Sequence, residues 1–234
     1  MSAKRFAIYC SPNETSPWWT TWSEWLGRDA KSQRVFPPID IEGIDPFKFE
    51  SLIKDPCRYG LHATIKAPFK LNGETSIDEL KSKVQSICLS KRPFVLDLGL
   101  ERLKNFFALT PTGDAHQINQ LADEVVRKLD EFRFPLNERD IAKRRLAGLS
   151  AKEDQMLLDW GYPYVLDCFR FHISLTGHLA CLDALSQKNV EHEILWRLER
   201  LRSTPFVVDS LCVFEEPEPG ADFFLNERFY FQDL

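Results

Sequence analysis

Apolar and polar residues alternate with a period of two along RYGLHATIKAPF, residues 58–69. Successive side chains of a strand point to opposite faces. Leu61, Ala63, Ile65 and Ala67 therefore share one side, and His62, Thr64 and Lys66 share the other. About a hundred residues later the alternation returns in DCFRFHISLTGHL, with Phe169, Phe171, Ile173 and Leu175 against Arg170, His172, Ser174 and Thr176. Both segments read as strands buried on one face, each carrying His-x-Thr/Ser on the polar face.

The rest of the chain mixes the two periods. KRFAIYC reads as a first strand. Ser16-Pro17 opens a short helix through WWTTWSEWLG that stops at Gly27, with Trp18, Trp22, Trp25 and Leu26 on one helical stripe and Trp19 off it, free to face a ligand or solvent. DPFKFESLIKD predicts a helix capped by Asp45, and TSIDELKSKVQSICLSK an amphipathic one. PFVLDLGLERLKNFFALTP reads as two strands leading to a helix in QINQLADEVVRKLDEF. Helices follow at residues 138–147 and 150–160, the second with Ser150 and Glu153 as a capping box. CLDALSQKNVEHEILWRLERL is helical, and a hairpin runs from PFVVDSLCVF across EEPEPG to FFLNERFYF. One histidine strand falls in each part of a loose halving, and no linker separates them. A single unit over 1–234 is expected.

Composition narrows the class. The 234 residues are 44% hydrophobic and 28% charged, as in ordinary globular chains, and the net charge of −5 announces no basic face for long duplex nucleic acid. No apolar run approaches the roughly 18 residues of a membrane span, and the start lacks a signal-peptide core, so a cytoplasmic protein is expected. Six cysteines without a C-x-x-C pair argue against zinc or a disulfide framework and read as buried, reduced thiols.

The two polar faces together offer two imidazoles, two hydroxyls and two cations. Splitting a phosphodiester needs a base for the attacking oxygen and an acid for the leaving one. Imidazoles, with an ordinary pKa of about 6.5, can take both parts near neutral pH. Thr64 and Ser174 would donate to the non-bridging oxygens, and Lys66 or Arg170 would oppose their charge. A lone His-x-Thr is ordinarily a structural histidine; the second copy changes the reading. Metal binding is the competing chemistry, but the polar sets contain no carboxylate, and His116, His178 and His192 fall in a turn, at a strand end and on a charged helix. Neither a metal nor a cofactor is expected.

LHATI and FHISL resemble the paired signature of the two-histidine (2H) phosphoesterase superfamily, hydrophobic-His-x-Thr/Ser-hydrophobic. RNA 2'-5' ligase-like proteins and cyclic nucleotide phosphodiesterases belong to it. RFAIYCSP, RYGLHATIKAPFKL, FRFPLNERDIAKRRLAGLSAKEDQMLLDWGYPYV, FRFHISLTGHL and VFEEPEPGADFFLNERF are similar, nearly end to end, to its phosphonate-metabolism branch. The resemblance implies an α+β bilobal fold, with antiparallel sheets of two pseudo-symmetric lobes around a central cleft and helices outside. It implies His62 and His172 as the catalytic pair, with Thr64 and Ser174 positioning phosphate. Arg58, Tyr59, Lys66, Arg170, Tyr162 and Tyr164 lie in the resembling stretches, and Arg58, Tyr59, Lys66 and Arg170 are candidates for substrate contact. Lys143, Arg144 and Arg145 form a charge run that is ordinarily a solvated helix face. A ribose 5-phosphate carrying a 1,2-cyclic phosphate, the substrate the branch implies, would give them a second use as an anion clamp. The expected partner is thus a small phosphorylated ribose or nucleotide. RNA ends, nucleoside 2',3'-cyclic phosphates or 2'-5' linkages are the alternative substrates, and non-catalytic binding of a phosphorylated sugar is the alternative class. Which histidine is base and which acid stays open at this point.

Overall fold

The computed structural model describes residues 4–232. β1 (Arg5–Cys10) leads to α1 (Pro17–Trp25), where the Ser16 hydroxyl accepts the Trp18 amide and proline sits in the first turn. Trp18, Trp22, Trp25 and Leu26 are buried as their spacing requires. Trp19 is buried too, its indole N–H donating to Asp29 Oδ2 (3.2 Å), so it does not face a ligand. The indole of Trp25 donates to the Leu175 carbonyl (2.7 Å) and ties α1 to the second histidine segment.

α2 (Pro46–Tyr59) starts on Asp45 as expected but runs through Pro56 to Tyr59, four residues beyond Asp55. Proline has no N–H for the carbonyl four residues back. Here that carbonyl, Leu52, accepts the Gly177 amide instead (2.6 Å), so the break in the helix ladder docks the second histidine segment. A Cβ on Gly177 would lie 2.9 Å from the same oxygen, which leaves room for glycine alone.

β2 (Ala63–Phe69), α3 (Ile77–Cys88), β3 (Phe94–Leu96), β4 (Leu98–Leu103), β5 (Phe106–Pro111) and α4 (His116–Lys128) follow. The two strands expected over 93–111 are three, because β3 leaves the main sheet to pair with a late strand. α5 (Glu138–Arg145) and α6 (Ala151–Trp160) come next, the latter with the reciprocal Ser150–Glu153 capping box; Gly161, left-handed at φ 73°, ends it. The second histidine strand is much shorter than its alternation predicts. A 3-10 turn occupies Leu166–Cys168, and only β6 (Ile173–Ser174) is paired. The chain leaves the sheet at once, since the amides of Leu175 and Thr176 both turn to the Phe107 carbonyl (2.9 and 3.3 Å). α7 (Ala184–Arg200), β7 (Phe206–Val208), β8 (Ser210–Glu216) and β9 (Phe224–Tyr230) complete the fold.

Seven strands form one antiparallel sheet in the order β4-β5-β6-β2-β1-β8-β9, while β3 and β7 pair apart. The mixed α+β class is as expected. The two parts meet inside one sheet, with the two histidine strands as neighbours across a single bridge, Ala63↔Ile173. Among the described residues no helix is long and apolar enough to cross a membrane. All six thiols are free, but Cys181 is exposed and Cys57 and Cys168 are only half-buried, so the expectation of six buried thiols fails there.

Candidate active site

The Ala63↔Ile173 bridge organises the site. Residues next to a bridged pair point to the opposite face from it. His62 and Thr64 flank Ala63, and His172 and Ser174 flank Ile173, so all four project from one face of the sheet. Antiparallel order sets His62 on the Ser174 side and Thr64 on the His172 side. The imidazoles thus occupy one diagonal and the hydroxyls the other, with motif partners about 6.6 Å apart along each strand. All four line one cavity of about 390 Å³.

Both rings are aimed by the same device. His62 Nδ1 donates to the Gly60 carbonyl (2.8 Å) and His172 Nδ1 to the Arg170 carbonyl (2.9 Å). A carbonyl only accepts, so each Nδ1 carries the proton and each Nε2 is left to face the cavity. Gly60 ends α2 at φ 74°, and a Cβ there would meet that of Ala30 at 2.5 Å. Ser11 Oγ donates to the Leu61 carbonyl (2.6 Å), so the residues on either side of the turn into His62 are held.

The surroundings differ. His62 packs against Tyr9 (ring centroids 4.0 Å) and Tyr59 (5.7 Å). Burial lowers its pKa from 6.5 to about 4, with the Gly60 hydrogen bond opposing the shift and the charge of His172 adding to it. Among the described residues His172 has a single aromatic neighbour, Phe106 at 6.0 Å. Neutral His62, with a free Nε2, is equipped to take a proton.

The remaining candidates divide. Tyr59 lines this cavity, whereas Arg58 lines only a wider adjoining one, its guanidinium stacked on Tyr59 (4.9 Å) and paired with buried Glu216. Lys66 does not line the histidine cavity. Its strand carries an extra residue, since Tyr9 faces Thr64 while Ile8 faces Lys66. This bulge shifts the parity after Thr64. Lys66 is turned under α4, where Nζ meets Asp130 Oδ1 (3.2 Å), and burial lowers its pKa to about 8. Arg170 is exposed and lends only its carbonyl. Thr176, expected beside Ser174, is buried with its hydroxyl accepting the Phe107 amide (2.9 Å). Of the charge run, Arg145 binds Asp154 on the outside (2.6 and 2.8 Å), Lys143 is exposed in a wider adjoining cavity, and Arg144 turns inward to line both cavities.

Arg5, Tyr9 and His178 also line the histidine cavity. Arg5 and Tyr9 alternate on β1 with the period that exposed the histidine motifs, so their shared face was open to the same reasoning. Among the described residues no group of three or more His, Cys, Asp or Glu is placed to hold a metal.

A family model described as "Protein of unknown function (DUF1045)" matches residues 64–224, well over half of the sequence. The chain belongs to the DUF1045 family. Two curated relatives of this DUF1045 chain are both named ribose 1,5-bisphosphate phosphokinase PhnN. That from Janthinobacterium sp. (strain Marseille) is 36% identical over 98% of this chain and 51% of its own length. That from Laribacter hongkongensis (strain HLHK9) is 33% identical over 94% of this chain and 50% of its own. The chain therefore spans about half the length of these relatives. Among solved structures, E. coli LigT complexed with 3'-AMP is 11% identical, with 99% of both chains covered and a TM-score of 0.43.

Proposed function

We propose that this DUF1045 chain is a phosphodiesterase that opens a small cyclic phosphodiester with water, His62 acting as general base and His172 as general acid. The observation that carries this reading is the diagonal pair of imidazoles on one sheet face, each with Nδ1 tied back to a carbonyl. As the water oxygen bonds to phosphorus, its proton passes to His62 Nε2. The bond from phosphorus to one ring oxygen breaks, and His172, protonated on Nε2, returns a proton to that oxygen. The products are a phosphomonoester and a free hydroxyl. Thr64 and Ser174 donate to the non-bridging oxygens, whose charge grows in the transition state. A bound phosphate raises the pKa of His62 against burial, which brings the base closer to its working range.

The preferred substrate is a ribosyl 1,2-cyclic phosphate. The relatives' name concerns ribose 1,5-bisphosphate, and a 1,2-cyclic phosphate on ribose 5-phosphate gives that compound when the bond to O2 breaks. The histidine cavity is of a size for one sugar phosphate. The resemblance of both motifs to the 2H phosphoesterases supports the same chemistry.

A screen of purified protein with EDTA present, using ribosyl 1,2-cyclic phosphate with and without a 5-phosphate, nucleoside 2',3'-cyclic phosphates and 2'-5' dinucleotides, tests the reading. Ribosyl ring opening at least tenfold faster than the others is expected. Preference for nucleotides would move the substrate to RNA ends; turnover of none would leave a binding protein.

A further inference from the structure

A second polar centre adjoins the histidines. Arg144, in the last turn of α5, lines both the histidine cavity and the neighbouring cavity of about 850 Å³, as do Arg5 and Tyr162. Its half-buried guanidinium lies over the Tyr162 ring (5.2 Å) and has no carboxylate within 4.0 Å among the described residues. Asp140 acts on it only at longer range. Burial lowers the Arg144 pKa, Tyr162 opposes that shift, and the charge of Arg5 adds to it.

The nearby cations are held by one acid. Glu216 is fully buried and takes Arg5 through both Nε and Nη2, Arg58 through Nη2, and the Gly220 amide (2.9 Å). Burial pushes the Glu216 carboxyl up, while the Arg5 and Gly220 hydrogen bonds pull it below its usual value. Two guanidiniums thus share one carboxylate while Arg144, lining the same cavities, has none, and the surplus is positive. Tyr9, fully buried beside them, has a hydroxyl with no partner among the described residues and lines the histidine cavity. An unmatched donor and unmatched positive charge at the meeting of two cavities describe a site for an anion.

We infer that the cleft holds a second phosphate subsite, in which Arg144 and the Arg5–Arg58 pair bind a phosphomonoester on the same substrate molecule whose cyclic phosphate lies between the histidines. The inference rests on the phosphodiesterase reading for its first phosphate and on the charge arrangement for its second. Tyr59 spans the interval, its ring 5.7 Å from that of His62 and 4.9 Å from the Arg58 guanidinium. A pentose carrying a phosphate at each end reaches from one side of that ring to the other. The run at 143–145 is thereby divided, with Arg145 structural and Arg144 facing the substrate.

The test pairs ligand and residue. In the wild type, removing the 5-phosphate from ribosyl 1,2-cyclic phosphate should lower kcat/KM by roughly a hundredfold, as expected for losing hydrogen bonds to charged groups. In Arg144→Met that difference should shrink to less than tenfold, through a lower rate on the phosphorylated substrate. Equal losses on both substrates, or a wild type indifferent to the 5-phosphate, overturn the inference while ring opening itself stands. Ribose 5-phosphate titrated calorimetrically into His62→Ala gives a readout independent of turnover. Binding there should weaken at least tenfold when Arg144→Met is added, and Arg144→Lys should recover part of it. Absent binding, or binding indifferent to Arg144, rejects the subsite whether or not the chain is an enzyme. A thermal melt of each variant reports folding, which the replacement of a half-exposed side chain leaves intact.

Discussion

His62 and His172 sit in the same short motif, each just before one of two adjacent strands, with the same Nδ1 bond to a carbonyl two residues earlier. Their settings differ. His62 is packed between Tyr9 and Tyr59, and burial lowers its pKa to about 4, whereas Phe106 is the one ring neighbour of His172 among the described residues. A repeated motif therefore does not give two equivalent groups. Position relative to the aromatic floor holds the His62 imidazole neutral, which suits it to the base role proposed for it.

The sharpest way to break the comparison is to remove each ring. His62→Ala and His172→Ala should each lower turnover of the cyclic substrate by about a hundredfold to ten-thousandfold. A near-wild-type rate in either variant would take that residue out of the mechanism. Thr64→Val should cost less, roughly tenfold to a thousandfold in kcat, because one donor among several is lost. An unchanged kcat would make Thr64 structural.

Acid titration then sharpens the difference in protonation. Since the folded-state pKa of His62 lies below the ordinary 6.5, the unfolded chain binds more protons between about 6.5 and 4. The folded state should lose stability as pH falls through that window, and a His62→Asn variant should show a shallower fall in urea midpoint over the same range. An identical fall in both would place the acid sensitivity elsewhere. The smallest effect is expected at Tyr9→Phe, which removes a buried hydroxyl that has no partner. Stability should rise by about 1 kcal/mol, while KM for the cyclic substrate rises. A loss of stability would mean that the hydroxyl is satisfied in the folded protein.

Alternation made the centre of the site legible. His62, Thr64, His172 and Ser174 could be sorted to one face from the sequence because the parity is undisturbed within each His-x-Thr/Ser triplet. It failed one step outside each. The bulge before Lys66 turns that residue away, and the early departure of the chain from the sheet buries Thr176. Neither leaves a mark in the hydrophobic pattern, since both come from how one strand is paired with its neighbours. Trp19 shows the same limit on a helix, where an indole off the apolar stripe is buried and donates to a carboxylate ten residues away. The cluster around Glu216 was least legible of all. Arg5 and Glu216 are cross-strand partners 211 residues apart, and nothing local marks the glutamate as buried.

The backbone ladder between the two motif strands is one rung wide. What fixes the span from one imidazole to the other is consequently farther away, in the Trp25 indole that grips Leu175 and the Leu52 carbonyl, freed by Pro56, that grips Gly177. The tryptophan helix and the proline break act as a ruler laid beneath the two imidazoles. Substitutions there, out of reach of any substrate, would retune the gap that the chemistry has to fit.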